Sequence, residues 1–155
     1  MNLSQQIAKN FREVWFGGNW TASNFKDQLK DVTLPVALQK NGDLNTIATL
    51  LFHSIYYVHG VNVVFDGGDL TIHDKFSFTH PEFRDEDHWQ AYLKETFAAA
   101  ETFAQHVEKL PPDIWLQDFI DGKYGNYYRN IAGIIEHSHY HLGQLVLLKK
   151  GIGGS

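Results

Sequence analysis

Apolar residues return every three or four positions at the start of the chain: Leu3, Ile7, Phe11, Val14 and Trp15 share one helical face. Ser4 is a candidate cap for this first helix and Gly17-Gly18 a candidate stop. The next stretch, TASNFKDQLKDVTLPVALQKNGD, carries a helical pattern only over residues 23 to 29, then turn signals at Pro35 and Asn41-Gly42, and predicts an irregular connector. Residues 45 to 65 are apolar nearly all round, with Asn45 as the expected cap and Asp66-Gly67-Gly68 as the stop. That run is too long for an ordinary strand and predicts a buried helix.

Residues 67 to 84, rich in Gly, Asp and His, read as a long crossing loop. A third helix runs from Asp85, with Trp89, Tyr92, Leu93, Thr96, Phe97, Ala100, Phe103, Ala104 and Val107 on one face and Lys94, Glu95, Glu101 and Glu108 opposite, until Pro111-Pro112 terminates it. A second irregular stretch, DIWLQDFIDGKYG, leads into a last helix over residues 126 to 150, with Gly151 as its stop and Lys149 and Lys150 at its negative end. Four long helices joined by two long connections predict an all-α chain, an antiparallel four-helix bundle with long crossover connections. It is expected to form one domain over residues 1 to 150, with a flexible tail, GIGGS, at 151 to 155. Trp15, Trp20, Trp89 and Trp115 are assigned to packing.

Composition narrows the chemistry. With 43% hydrophobic and 14% aromatic residues, 155 positions suffice for a substantial core. The lack of cysteine excludes disulfides, thiolate metal sites and a thiol nucleophile, so any metal must sit on nitrogen or oxygen. Thirteen basic against eighteen acidic residues leave a net charge of -5, which disfavours a nucleic-acid partner. The first residues lack a signal-peptide pattern and no apolar run approaches the ~18 residues of a membrane span, so the expected setting is cytoplasmic, with no membrane partner. The second helix is apolar on more than one face, and a homodimer is expected from that surplus surface.

The candidate chemistry lies in EHSHYHLGQ, residues 136 to 144. At ~100° per residue, His137 and His141 lie ~40° apart on one helical face, and His139 points the other way. Asn130, Ile134, Gln144, Leu145 and Leu148 fall on the side of the pair, so that face is expected to look inward. In the second helix, His53 shares its face with Leu50, Tyr57 and Val61, and it is the best third imidazole; His59 lies elsewhere on that helix. A single inward histidine is ordinarily a hydrogen-bonded core residue. Three together are costly to bury without a shared partner, and three imidazoles plus an open water position are a catalytic zinc arrangement. His59, His73, His80, His88, His106 and His139 are read as surface or loop residues.

His-x-x-x-His followed by Gly-Gln on the last helix, with a lone histidine in the helix after the first connector, resembles the DinB/YfiT-like metalloprotein superfamily. The resemblance implies a four-helix bundle with long crossovers and a three-histidine site for zinc or nickel, with His53, His137 and His141 as ligands. The position before Gly143, often arginine in that superfamily, is Leu142 here. Some members use low-molecular-weight thiols, which makes such a thiol a candidate partner beside a small-molecule substrate. Gln144, Tyr57 and Asn130 are the candidate residues around the ion and its pocket, and Gly143 is expected to let a neighbouring helix approach.

Competing chemistries lack their residues. A zincin protease needs glutamate directly after its first histidine, where Ser138 stands. A di-iron carboxylate bundle needs two Glu-x-x-His units, and only Glu136 with His139 supplies one. No Gly-x-Ser-x-Gly elbow occurs. The remaining expectation is a metal-dependent hydrolase or thiol-dependent transferase acting on a small molecule, against the alternative of a non-catalytic metal- or ligand-binding helical bundle.

Overall fold

The computed structural model describes residues 1 to 153. Six α-helices run along it: α1 (Leu3–Phe16), α2 (Phe25–Leu29), α3 (Leu34–Leu38), α4 (Ile47–Phe65), α5 (Glu86–Glu108) and α6 (Tyr127–Gly153). No strand forms among the described residues, and pairing is confined to an isolated bridge between Asp118 and Asn126. The chain is all-α.

Local chemistry sets the helix starts. Asn2, not Ser4, caps α1: its side chain accepts from the Gln5 N–H at 2.9 Å, and Gln5 Oε1 accepts from the Asn2 N–H in return. Ser4 is instead buried, donating to the Leu110 carbonyl at 2.7 Å and accepting from Trp115 Nε1 at 3.1 Å. Thr46, one residue after the expected Asn45, caps α4 through the Thr49 N–H. Asp85, expected as the first residue of the third helix, instead caps α5 by accepting from the His88 N–H, and Asn126 accepts from the Arg129 N–H at the start of α6.

Three stretches depart from the sequence expectation. The first connector contains α3, because Pro35 sits in the opening turn of a helix, where no N–H partner is required. Helix α6 runs past Gly151 to Gly153, so most of the expected tail is helical; its last two positions lie outside the described residues. Helix α4 is long and apolar enough by length and composition to cross a membrane, contrary to the reading that no run approaches that length, though most of it is buried inside the fold.

The four long helices contact one another in a closed circuit, α1 against α5, α5 against α4, α4 against α6 and α6 against α1. Phe11, Trp15, Phe25 and Phe103 form the aromatic centre between α1, α2 and α5, with Trp15 stacked on Phe25 at 4.3 Å and Phe11 packed on Phe103 at 4.6 Å. Trp89 ties α5 to the first connector by donating to the Val32 carbonyl at 2.8 Å. Trp20 does not pack: its side chain is fully exposed. Arg12 spans α1 and α5, reaching Glu101 at 2.8 Å and Glu108 at 2.9 Å.

The long connection after α4 is pinned back along that helix, and this positions the site. Tyr56 Oη donates to the His73 carbonyl at 3.0 Å and accepts from the His73 N–H at 3.1 Å. Ile72 sits over Gly60, where a Cβ would come within 2.6 Å of its Cδ1. A short 3-10 turn, Asp74–Phe76, then delivers Ser77 and Phe78 to His53.

Candidate metal centre

His53 faces the interior because α4 is buried on nearly every side at that level, with Leu50, Leu51, Ser54 and Ile55 buried around it. On α6 the buried stripe runs through Ile131, Ile134, Ser138, Leu142, Leu145 and Leu148. His137 and His141 flank that stripe rather than occupying its centre. His141 is buried and His137 half-buried, so the pair sits where the α4–α6 seam meets the surface.

There the three imidazoles converge. His53 Nε2 and His137 Nε2 are 3.0 Å apart, the rings of His137 and His141 are 4.4 Å apart between centroids, and one ligand atom from each of the three residues lies within 4.8 Å of the others. The hydrogen bonds at the outer nitrogens fix the tautomers. His53 Nδ1 lies 3.2 Å from the Ser77 carbonyl, which can only accept, so Nδ1 carries the proton and Nε2 presents a lone pair. His141 Nδ1 lies 2.7 Å from Gln144 Oε1, with the same consequence. Carbonyl-type oxygens behind ligand nitrogens are the arrangement that orients histidines toward a metal.

The electrostatics agree. Burial is the main cause that lowers the pKa of all three imidazoles, and His137, also beside His141 and His53, is pushed down to about 4. All three are therefore neutral at pH 7, with lone pairs available. Three nitrogens within 4.8 Å of one another share a point no farther than about 2.8 Å from each, so reaching the about 2.0–2.1 Å of a zinc–imidazole bond takes shifts under about 1 Å. The donor set fits a divalent ion.

The crossing loop completes the surroundings. Phe78 stacks on the His53 ring at 3.8 Å with an interplanar angle of 13°, and Ser77 is buried beneath it. Tyr57 stands edge-on to His53 and His137 and donates to Asp74 Oδ1 at 3.2 Å. A cleft of about 850 Å³ opens beside His137, with Tyr57, Asp74 and Asn130 among its walls.

No family model, curated protein or solved structure matches the chain. Gln144 touches a candidate ligand directly and passes its other end to Tyr140 Oη at 3.1 Å. Tyr57 lines the cleft beside two of the histidines. Asn130 lines the cleft away from the imidazoles, its amide donating to the Tyr124 and Asn126 carbonyls.

Gly143 admits no neighbouring helix: it is exposed and a Cβ there would meet nothing within 4 Å, because it faces solvent beyond the buried stripe. His139 and His59 stand outside the cluster. Asp74, Ser77 and Phe78 were not foreseen. They come from a loop whose spacing carries no periodic signal, and the Gly, Asp and His content that marked the loop gives no register against α4.

Proposed function

We propose that His53, His137 and His141 bind one divalent ion, zinc or nickel, and that the protein is a metal-dependent enzyme, a hydrolase or thiol-dependent transferase acting on a small molecule. The observation that carries this is the convergence of three neutral imidazoles, two with their outer nitrogens committed to oxygen acceptors, beside an open cleft. Three nitrogen ligands leave the remaining coordination open, which is what separates a catalytic ion from a structural one. Bound there, the ion would supply Lewis acidity toward an oxygen or sulfur of the substrate.

The protein's own residues divide the remaining work. Gln144 and the Ser77 carbonyl hold the rings of His141 and His53 in place, and Phe78 covers the His53 ring on one face. Tyr57, held by Asp74, stands at the cleft wall next to His137, where its ring shapes the space offered to a substrate. The closed circuit of four long helices, the two long connections and the His-x-x-x-His-x-Gly-Gln sequence support placing the chain with the DinB/YfiT-like metalloproteins as an antiparallel four-helix bundle. The test is metal content: purified protein dialysed against zinc or nickel should retain one ion per chain, and His53→Ala should retain none.

A further inference from the structure

The cleft beside His137 is asymmetric in charge. Toward the start of α6 its walls include Lys123 and Arg129; near the histidines they include Asp74 and Glu136. Among the described residues neither Lys123 nor Arg129 forms an ion pair with a carboxylate, whereas Arg12 and Lys149 do. Lys123 instead lies over the Tyr124 ring, 5.1 Å from its centroid. Two cations are thus presented at one end of a cavity with no protein anion paired to them.

Their placement is built by two glycines. Gly125, at φ +81°, leaves the space that the Arg129 side chain occupies: a Cβ there would lie 2.8 Å from Arg129 Cδ. Gly133 lines the cleft midway between Arg129 and His137, and a Cβ on it would meet nothing within 4 Å. A mid-helix glycine destabilises a helix relative to alanine. No packing neighbour accounts for Gly133, and at its position on the lining no side chain projects into the cleft. Arg129, Gly133, His137 and His141 follow one another at four-residue intervals, so they form one slowly turning stripe along α6. Eight residues separate Arg129 from His137, about 12 Å of helix.

From this geometry we infer that the substrate carries an anionic group, a carboxylate or phosphate, which Arg129 and Lys123 hold about 12 Å along α6 from the histidines while its reacting end lies at His137. The inference rests on the metal-site reading and adds the substrate class: an elongated, singly ended anion, with the narrow part of the molecule passing over Gly133. Of the side chains along the cleft, Lys123 and Arg129 carry positive charge at one end and Asp74 and Glu136 carry negative charge at the other, so the protein's own charges favour the anionic group at the Arg129 end.

Zinc-loaded protein, its metal content first verified by elemental analysis, is titrated calorimetrically with mercaptooctanoate, with mercaptooctanol and with the short mercaptopropionate. The thiol serves as the zinc-seeking end and the extended octanoate chain approximates the Arg129 to His137 span. Mercaptooctanoate should bind about tenfold tighter than mercaptooctanol, as expected for a charge-assisted contact. Mercaptopropionate should show no such gain, and Arg129→Gln with Lys123→Gln should abolish it.

Gly133→Leu should retain its zinc and its helix content but lose the long thiol. Equal affinities for the octanoate and octanol on zinc-loaded protein, or binding of neither, overturn the inference while leaving the metal site intact. Failure to load zinc at the start is instead the failure of the metal reading, and it overturns both.

Discussion

His53 and His137 bring their Nε2 atoms to 3.0 Å of each other across 84 residues of sequence. Because His53 commits its Nδ1 proton to the Ser77 carbonyl, its Nε2 can only accept. The contact therefore needs either a proton on His137 Nε2 or a cation between the two rings. Two zinc-bound nitrogens at tetrahedral angles stand about 3.3 Å apart, so the observed separation is close to what a shared ion requires.

Gln144 offers the cleanest separation of metal affinity from folding. Its side chain is exposed, so truncating it should leave stability within about 0.5 kcal/mol of wild type. Its bond to His141 Nδ1 is the restraint that sets the tautomer and angle of that ring. Gln144→Ala should weaken metal binding by about 10–100-fold, measured by competition with a chromogenic chelator. An unchanged affinity would mean that His141 needs no such support.

Protons should compete with both folding and metal. An unfolded chain protonates its histidines near 6.5, whereas folded, metal-free protein holds His137 neutral down to about 4. Between those values the unfolded state binds more protons, so stability rises with pH and is lost as pH falls from 6.5 toward 4. His53 and His141, lowered chiefly by burial, add in the same direction. Urea midpoints of metal-free protein should drop over this window more steeply for wild type than for His137→Gln; parallel curves would refute the assignment.

Away from the site, Ser4 is the residue whose loss should be felt in stability alone. Ser4→Ala removes the acceptor for the buried Trp115 N–H and the donor to Leu110, at a cost of about 1–3 kcal/mol. Denaturant unfolding should register that loss while metal stoichiometry stays at wild-type level.

The all-helical character of the chain and the meeting of the three imidazoles were legible in the sequence for the same reason: both are written in helical periodicity. Leu3 to Trp15, the face from Trp89 to Val107, and the four-residue step from His137 to His141 all follow from one angular rule. What surrounds the imidazoles was not legible, because Ser77 and Phe78 arrive on a loop whose path depends on Tyr56, Gly60 and Ile72 meeting in space. Ser4 looked like a cap because hydroxyls favour that position, but Asn2 with Gln5 forms the reciprocal pair and frees Ser4 for the core. Trp20 and Gly143 depart from the packing expected of a large and a small residue, because both face solvent.

A bound ion should also stabilise the fold by mass action. At a free concentration a hundredfold above its dissociation constant, an ion held only by the folded state contributes about 2.7 kcal/mol. For a chain of this length that corresponds to a rise in Tm of about 5–10 °C. Differential scanning calorimetry with zinc and with chelator should show that difference in wild type and none in His53→Ala.

The central claim is tested most directly by an X-ray absorption spectrum at the zinc edge of protein loaded to saturation. Three imidazole nitrogens at about 2.0–2.1 Å, with the signal lost in His137→Ala, are the predicted result. A zinc shell with one imidazole or none, or an unaltered shell in His137→Ala, would contradict it.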